Sequence, residues 1–455
     1  MTLPLSLPLR ALAAAMLPLT CALAGAAPAL DPAVRERAEA LTRGGQHAGI
    51  VIAVIEGKDS AVYGFGRGNQ DRLPDADTVY EIGSVTKTIT GLLLAQAVVA
   101  GKVTLAEPVA DLLPDYAMPE TKERAITLRD LATHYSGLPR LPGNLAPADV
   151  NDPYADYGEP QLRAFLAGHA MARASGAAFE YSNLGYGLLG TALAAKAGQS
   201  YETLLQTQIA GPLGMRSTSS LMSPALRARL APGHLADGKP AQHWQFQAIA
   251  GAGAVLSTPR DMVAYVQSFM LKPDPAHALA VQPQRDIGGG KQIGLAWIRD
   301  QAKGQPFIWH NGQTGGYASF AGFTPDGQRG VVVLSNTSTT VDALGVASLV
   351  PGTLAPLAAA PAQRKEVALA PEALGEYVGS YALAPNFVLT VRQGPQGLLV
   401  GATGQPEAPV FASGKDAFFY KVVDAQLVFQ RNAQGAITGL VLHQNGQAIP
   451  GQRKE

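Results

Sequence analysis

Apolar residues near the start of this chain form runs that are typical of strands. The segment GIVIAVIEG (49–57) is continuously apolar and β-branched, and SAVYGFG (60–66) follows it after a short polar interval. Two such runs around a turn predict a β-hairpin, with Lys58 and Asp59 at the turn.

The middle of the chain carries helix signals instead. Thr127 and Asp130 form the capping pair of a helix that Gly137-Leu138-Pro139 is expected to end. The segment 258–261, Thr-Pro-Arg-Asp, has the cap, the first-turn proline and the acidic residue that begin another helix.

Strand patterns return between residues 306 and 336, in PFIWHNGQTGG, YASFAGFTP and GVVVLSN. Asp326-Gly327 lies between the last two and predicts a turn in an antiparallel meander. Strands at both ends with helices between them predict an α+β fold, in which distant pieces of chain complete one antiparallel sheet flanked by helices.

The C-terminal part is organised differently. Residues 351–371 are rich in Ala and Pro and predict a linker. Residues 372–455 contain short apolar runs separated by Gly, Asn and Pro, which predict a small all-β domain, a barrel or a sandwich. We expect its aromatic residues to be core rather than ligand contacts; these are Tyr381, Phe418, Phe419 and Phe429.

The N-terminus has the composition of a secretory signal. Arg10 precedes an apolar run that ends in small residues near Ala26, so we predict a signal peptide over 1–26 and a first folded domain over 30–350. A membrane anchor is the alternative, but Pro18 interrupts a run already too short to cross a bilayer. The expected location is periplasmic or secreted, with no stable membrane span after cleavage.

Composition narrows the function classes. The chain has 35 basic and 35 acidic residues, and this balance argues against nucleic acid as a partner. Cys21 is the only cysteine and lies in the predicted signal, so we expect no disulfide in the mature chain. The eight histidines show no metal-ligand spacing, and we predict neither a metal nor a cofactor.

One charged residue stands out in the segment 81–101. Lys87 follows Ser84 by three residues and is the single charge between Ser84 and Gly101, in a run whose apolar residues lie on all sides of the expected helix. Positions i and i+3 share a helix face, so the two side chains are expected to be neighbours at the helix N-terminus. Burial would lower the pKa of Lys87, and a neutral amine can take the proton of a serine hydroxyl. The alternatives are a lysine that extends to solvent or one paired with a carboxylate.

Two later segments favour the catalytic interpretation. Tyr181-Ser182-Asn183 precedes another apolar helical pattern, and His310-Asn311-Gly312 lies in a glycine-rich strand. With Ser84-x-x-Lys87 these segments resemble, in order and spacing, the motifs of the penicillin-recognising serine hydrolases, a family of class C β-lactamases, D-Ala-D-Ala carboxypeptidases and related esterases. The resemblance covers residues 35–350 and implies a β-lactamase/transpeptidase-like fold.

The resemblance implies a role for each motif residue. Ser84 would be the nucleophile, Lys87 its proton acceptor, and Tyr181 the residue that protonates the leaving group and helps to activate water. The backbone N–H groups of Ser84 and Gln313 would form the oxyanion hole. The substrate-binding residues would be Asn183, His310, Asn311 and Gly312. Taken alone, Tyr181 would more often be a half-buried packing residue and Asn183 a helix cap, and the other motifs reverse that preference. The alternative for His310 is a packed strand residue beside Trp309.

The third motif, His310-Asn311-Gly312, departs from the family pattern because His310 stands where a lysine is usual. A histidine is mostly neutral near pH 7, which puts recognition of a substrate carboxylate in question. Two functions from different classes follow. The first is an acyl-enzyme hydrolase acting on a β-lactam, a D-alanyl peptide of peptidoglycan or a small ester. The second is a penicillin-binding or cell-wall-binding receptor with little or no turnover, in which the C-terminal domain makes the functional contact. That domain resembles lipocalin-like β modules appended to some family members, and its open roles are to cover the cleft, to mediate dimerisation or to bind a ligand.

Overall fold

The computed structural model describes residues 27–454 apart from 122, 272–273, 356–365, 385–386, 395–396, 404–406, 421–424 and 445–446. The predicted signal, 1–26, lies outside the described residues. The helices are α1 Pro32–Arg43, α2 Thr86–Val99, α3 Val109–Leu112, α4 Leu128–Ala132, α5 Glu159–Gly168, α6 Asn183–Ala197, α7 Tyr201–Leu205, α8 Gly211–Leu213, α9 Pro224–Arg227, α10 Pro259–Met270, α11 Pro275–Val281, α12 Asp342–Leu349 and α13 Pro371–Leu374.

The strands form a large sheet, a two-stranded ribbon and a barrel. The strands are β1 Gly49–Glu56, β2 Asp59–Gly66, β3 Tyr80–Glu81, β4 Leu256–Ser257, β5 Arg285–Gly288, β6 Lys291–Ile293, β7 Ile298–Ala302, β8 Gln305–Gln313, β9 Ala318–Phe323, β10 Arg329–Ser335, β11 Gly379–Ala384, β12 Phe387–Gly394, β13 Gly397–Ala402, β14 Ala408–Gly414, β15 Ala417–Tyr420, β16 Ala425–Arg431, β17 Ile437–Gln444 and β18 Gln447–Arg453.

The large sheet is antiparallel, with strand order β2-β1-β10-β9-β8-β7-β6-β5. Strand β1 pairs with β10, so that Ala53 lies opposite Val332, far along the chain. The predicted α+β architecture, one sheet completed by distant pieces of chain, is therefore confirmed.

Helices cover both faces of this sheet, which explains the continuous apolar character of β1. Ile50, Ile52 and Val54 pack in one cluster with α1 and α12, whereas Val51 and Ala53 pack in the other with α2 and α10. A strand buried on both faces needs apolar residues at successive positions rather than at alternate ones.

Local details differ from the expectations. The first hairpin turn comprises Gly57 and Lys58, one residue earlier than predicted, because Glu56 pairs with Asp59. Helix α4 begins after Thr127 as expected but ends at Ala132, because His134 adopts a left-handed backbone with φ of 61°. The short strands β5, β6 and β7 extend the sheet and were missed, since their largely polar sequences carry no clear alternation.

The C-terminal strands β11 to β18 form a closed antiparallel barrel, with β18 paired to β11. Its interior is filled by side chains that include Tyr381, Phe418 and Phe429. Phe419 is also buried. The expectation that these aromatic residues are core is confirmed, and the open choice between barrel and sandwich is decided in favour of the barrel.

Candidate active site

Ser84 lies on a tight turn, Gly83–Val85, that leads into α2 on the α2 side of the large sheet. Gly83 has a φ of 48°, and a Cβ at this position would lie 2.7 Å from the backbone nitrogen of Gln313. Only glycine allows this turn to approach β8 so closely. The Ser84 side chain is half-buried, so a substrate can reach its hydroxyl.

Lys87 lies one turn further along and is completely buried. Its Nζ is 2.9 Å from Ser84 Oγ, 2.9 Å from Asn183 Oδ1 and 2.7 Å from the carbonyl oxygen of Ala252. The predicted proximity of Ser84 and Lys87 is confirmed. All three neighbouring oxygens are uncharged, so the alternatives of a solvent-exposed lysine or a lysine–carboxylate pair do not hold for the described residues.

The environment of Lys87 favours its neutral form. Burial lowers its pKa well below the usual value, and the nearby Arg140 guanidinium lowers it further. A neutral amine has two N–H groups and one lone pair. The two N–H groups can serve Asn183 Oδ1 and the Ala252 carbonyl, which leaves the lone pair to accept the Ser84 proton.

Tyr181 completes the group around the nucleophile. Burial raises its pKa to about 12, and a hydrogen bond with Ser84 opposes that rise. Lys87 Nζ lies 5.0 Å from the centroid of its ring. Tyr181 is therefore a neutral phenol near pH 7, able to donate a proton to an atom bonded to Ser84.

Ser182 and Asn183, at the start of α6, have different roles: the first caps the helix and the second contacts Lys87. Ser182 is the helix cap, because its hydroxyl accepts from Gly185 N at 2.8 Å and donates to Pro139 O at 2.7 Å. Asn183 is thus free of the capping role considered from the sequence. Its amide oxygen faces Lys87 instead.

His134 supports Tyr181, a role that the sequence did not indicate. The two rings stack with centroids 4.3 Å apart, and His134 Nδ1 accepts from Ser182 N at 3.0 Å. Burial lowers the pKa of His134 well below its usual value, with Lys87 as the next cause. The neutral imidazole holds the Tyr181–Ser182 segment in place. The left-handed backbone of His134 was not predicted by any sequence pattern.

His310 lies on β8, on the same side of the sheet as Lys87, and is buried. Its Nδ1 donates to the carbonyl oxygen of Asn311 at 2.5 Å, so its Nε2 carries a lone pair. Burial lowers the pKa of His310 to about 3, and Lys87 contributes in the same direction. This histidine is neutral near pH 7 and supplies no positive charge for a carboxylate.

The other residues of the third motif differ in placement. A Cβ at Gly312 would lie 2.1 Å from the carbonyl oxygen of Ile82 and 2.9 Å from Ser84 N, so β8 passes directly beside the nucleophile. The Asn311 side chain donates to Asp342 Oδ2 at 2.8 Å, and side chains of neighbouring strand residues point to opposite faces. The prediction that Asn311 binds substrate therefore rests on the motif alone.

An aromatic cluster near the nucleophile was also missed in the sequence. Phe246 stacks on Tyr154 with centroids 4.8 Å apart, and Trp244 packs edge-on against Tyr154 at 5.3 Å. A Cβ at Gly253 would lie 3.3 Å from Phe246 and 3.9 Å from the carbonyl carbon of Gly83. These rings come from segments about 90 residues apart, so no local pattern could group them.

Comparison with known proteins identifies the family. A family model described as Beta-lactamase matches residues 34–350. This chain belongs to the β-lactamase family. A second family model, a domain of unknown function (DUF3471), matches residues 363–453, which contain the barrel.

Relatives within the family carry carboxypeptidase and penicillin-binding names. The chain is 31% identical over 313 residues to the D-alanyl-D-alanine-carboxypeptidase/endopeptidase AmpH of Escherichia coli K12, covering 64% of this chain and 80% of AmpH. It is 27% identical over 288 residues to penicillin-binding protein 4 of Amycolatopsis lactamdurans, covering 57% and 72% of the two chains.

A solved structure of similar fold is that of a β-lactamase/D-alanine carboxypeptidase from Yersinia pestis complexed with citrate. The match has a TM-score of 0.59 and 26% identity, and covers 68% of this chain and 92% of the other. Family and fold together identify the chain as a serine hydrolase, similar to class C β-lactamases and D-Ala carboxypeptidases.

In the part of the chain that the structure describes, no helix has both the length and the apolar character needed to cross a membrane. The predicted export signal precedes that part.

Proposed function

We propose that this β-lactamase family member is a D-alanyl peptide carboxypeptidase that works through an acyl-enzyme on Ser84. The observation that carries the proposal is the 2.9 Å distance between Ser84 Oγ and the Nζ of a fully buried Lys87. A lysine with a lowered pKa, next to a half-buried hydroxyl, is the arrangement that activates a serine.

Acylation begins with attack of Ser84 Oγ on the carbonyl carbon of the scissile amide. The hydroxyl proton passes to Lys87 Nζ as the new C–O bond forms. The carbonyl oxygen becomes an oxyanion, which accepts hydrogen bonds from the backbone N–H groups of Ser84 and Gln313. The close approach of Gly83 to Gln313 supports this pairing of donors.

Collapse of the tetrahedral intermediate breaks the C–N bond and leaves an ester on Ser84. Tyr181 gives its phenol proton to the departing nitrogen and recovers a proton from the Lys87 ammonium. Deacylation runs in reverse with water as the attacking group. The water gives a proton to Tyr181 as Tyr181 passes its own proton to Lys87, and the Lys87 ammonium protonates Ser84 Oγ as the ester C–O bond breaks. The raised pKa of Tyr181 supports the donor role.

The choice of a D-alanyl peptide over a β-lactam rests on the relatives. AmpH is named as a D-alanyl-D-alanine-carboxypeptidase/endopeptidase, and the 31% identity extends over 80% of its length. Such peptides belong to peptidoglycan outside the cytoplasm, so the proposal includes export to the periplasm by the signal predicted at 1–26.

The test is to incubate the purified mature chain with an N-acyl D-Ala-D-Ala peptide, a chromogenic cephalosporin and a nitrophenyl ester. We expect release of D-alanine that Ser84→Ala abolishes, because the variant lacks the hydroxyl that forms the ester. Ser60→Ala, which changes an exposed serine on β2, serves as the matched control and should keep the wild-type rate.

Intact mass measurement during the reaction distinguishes the receptor alternative. A long-lived adduct on Ser84 without release of D-alanine would contradict the carboxypeptidase proposal and favour a penicillin-binding receptor. Turnover of the ester alone would contradict the proposed substrate class while leaving the Ser84 chemistry intact.

A further inference from the structure

A carboxypeptidase substrate ends in a free carboxylate, and that charge needs a partner in the site. In a D-Ala-D-Ala peptide the carboxylate lies two bonds from the nitrogen that departs. Tyr181 is the proposed proton donor to that nitrogen, so the partner cation should lie beside Tyr181. His310, at the position where related motifs carry lysine, is neutral and does not supply it.

Arg140 is the cation at this place. Its guanidinium carbon lies 5.2 Å from the centroid of the Tyr181 ring, and its side chain is exposed. The backbone carbonyl of Arg140 accepts from Asn183 N at 3.0 Å and Leu184 N at 3.3 Å, which fixes the residue to the first turn of α6. Arg140 is thus held at the site by the same segment that carries Tyr181 and Asn183.

Nearby carboxylates already have partners, which leaves this guanidinium available. Glu180 pairs with Arg173, and Asp130 is bound by Arg124 and Arg285. Among the described residues the Arg140 guanidinium makes no ion pair and no hydrogen bond, and it lies over the Tyr181 ring. An exposed, unpaired arginine beside a catalytic tyrosine is suited to bidentate binding of a carboxylate.

The electrostatic surroundings agree with this placement. Arg140 is close enough to lower the pKa values of Lys87, His134 and Tyr181. Because Lys87 and His134 favour their neutral forms, Arg140 is the permanent positive charge of the described site. Burial is the main cause of the lowered pKa of Lys87, and the charge of Arg140 adds to it.

We propose that Arg140 binds the free C-terminal carboxylate of the substrate and thereby replaces the lysine that His310 does not reproduce. This inference rests on the proposed function. It predicts that the enzyme prefers substrates with a free carboxylate next to the scissile amide over amidated or esterified analogues.

Binding measurements in the Ser84→Ala background test the proposal without turnover. The probes are N-acyl D-Ala-D-Ala and the same peptide as its C-terminal amide, measured by titration calorimetry. We expect the acid to bind about 10- to 100-fold more tightly than the amide, the usual range for a hydrogen bond to a charged group. Adding Arg140→Ala should abolish that preference, whereas Arg140→Lys should restore part of it.

Kinetics with Ser84 present give the second readout. Arg140→Ala should raise KM for the acid peptide about 10- to 100-fold, and its loss in kcat/KM should be at least about tenfold larger for the acid peptide than for an uncharged nitrophenyl ester. Arg43→Ala, at an exposed arginine of α1, is the control and should change neither value.

The two proposals fail in different ways. Equal affinity of the Ser84→Ala protein for acid and amide, or an unchanged preference in Arg140→Ala, overturns the role of Arg140 even if D-alanine is released. Lack of D-alanine release by the wild type overturns the proposed function, even if the acid preference and its dependence on Arg140 are observed.

Discussion

At the scale of single residues, the site depends on placing an amine where water does not solvate it. Lys87 is completely buried, and its Nζ is surrounded by a hydroxyl, an amide oxygen and a backbone carbonyl. Burial without a carboxylate disfavours the ammonium form, which has no lone pair and therefore cannot act as a base. The same burial keeps the rings of His134 and His310 neutral.

The first prediction concerns the pH dependence of acylation. Lys87 accepts a proton only in its neutral form, so the acylation rate should fall about tenfold per pH unit below the pKa of Lys87 and level off above it. Because that pKa is well below the usual 10.5, the plateau should begin well below pH 10.5. Stopped-flow acylation with a chromogenic cephalosporin or an activated ester measures the profile.

Lys87→Met tests whether the inflection belongs to this amine. It should lower the acylation rate at least about 100-fold, within the range that general-base catalysis contributes. Lys196→Met, at a partly exposed lysine of α6, is the matched control and should keep the wild-type profile. An inflection near pH 10.5, or a fully active Lys87→Met, would refute the assignment.

At the scale of elements, the site forms where the turn before α2 meets β8. Glycine occupies both sides of this contact, Gly83 on the turn and Gly312 on the strand. The added Cβ at Gly312 would meet the Ile82 carbonyl, Ser319 Oγ and Ser84 N, and two of these atoms belong to backbone that cannot turn aside. The spacing between strand and turn therefore determines whether two N–H groups can face one oxyanion.

The second prediction is that Gly312→Ala separates the turn from the strand. We expect stability to fall by about 1–3 kcal/mol, as for other overpacked sites, and kcat to fall about 100-fold or more through loss of an oxyanion donor. Thermal unfolding and steady-state kinetics give the two values.

Gly168→Ala is the control at the end of α5, where a Cβ would have no atom within 4 Å. It should leave activity unchanged and alter stability by less than about 1 kcal/mol. Wild-type activity in Gly312→Ala would show that the close approach of β8 is not required.

At the scale of the whole molecule, the described residues form separate hydrophobic cores. The clusters on the two faces of the large sheet belong to the hydrolase domain, as does a small one around Leu256, and a separate cluster lies inside the barrel. Phe418 contributes to the barrel core, whereas Phe320 contributes to the cluster between the sheet, α1 and α12. Domains with their own cores generally unfold as separate units.

The third prediction is two transitions in differential scanning calorimetry. Phe418→Ala should cost the barrel about 3–5 kcal/mol and lower its transition by at least about 12 °C, while the other transition stays in place. Phe320→Ala should lower the transition of the hydrolase domain and leave the barrel transition in place. A single transition that both variants shift equally would mean that the two domains unfold as one unit.

The sequence alone was enough to predict the part of the site whose residues are close together in the chain. Ser84 and Lys87 are three residues apart on one helix face, so their proximity follows from helix geometry alone. The Tyr181 and His310 motifs were identified by resemblance, and folding brings both to Lys87. His134, Arg140 and the ring of Phe246 escaped notice, because each acts through a neighbour distant in the chain.

Local sequence pattern was enough to predict the α+β class, the apolar helix that buries Lys87, the capping of α10 and the all-β character of the C-terminal part. These properties depend on periodicity and on contacts within a few residues. Three features required the folded structure: burial lowers the pKa of His310, Asn311 faces Asp342, and an unpaired Arg140 lies beside Tyr181. Burial and charge pairing depend on which distant segments surround a side chain. Those segments become neighbours only when the large sheet and its helices assemble.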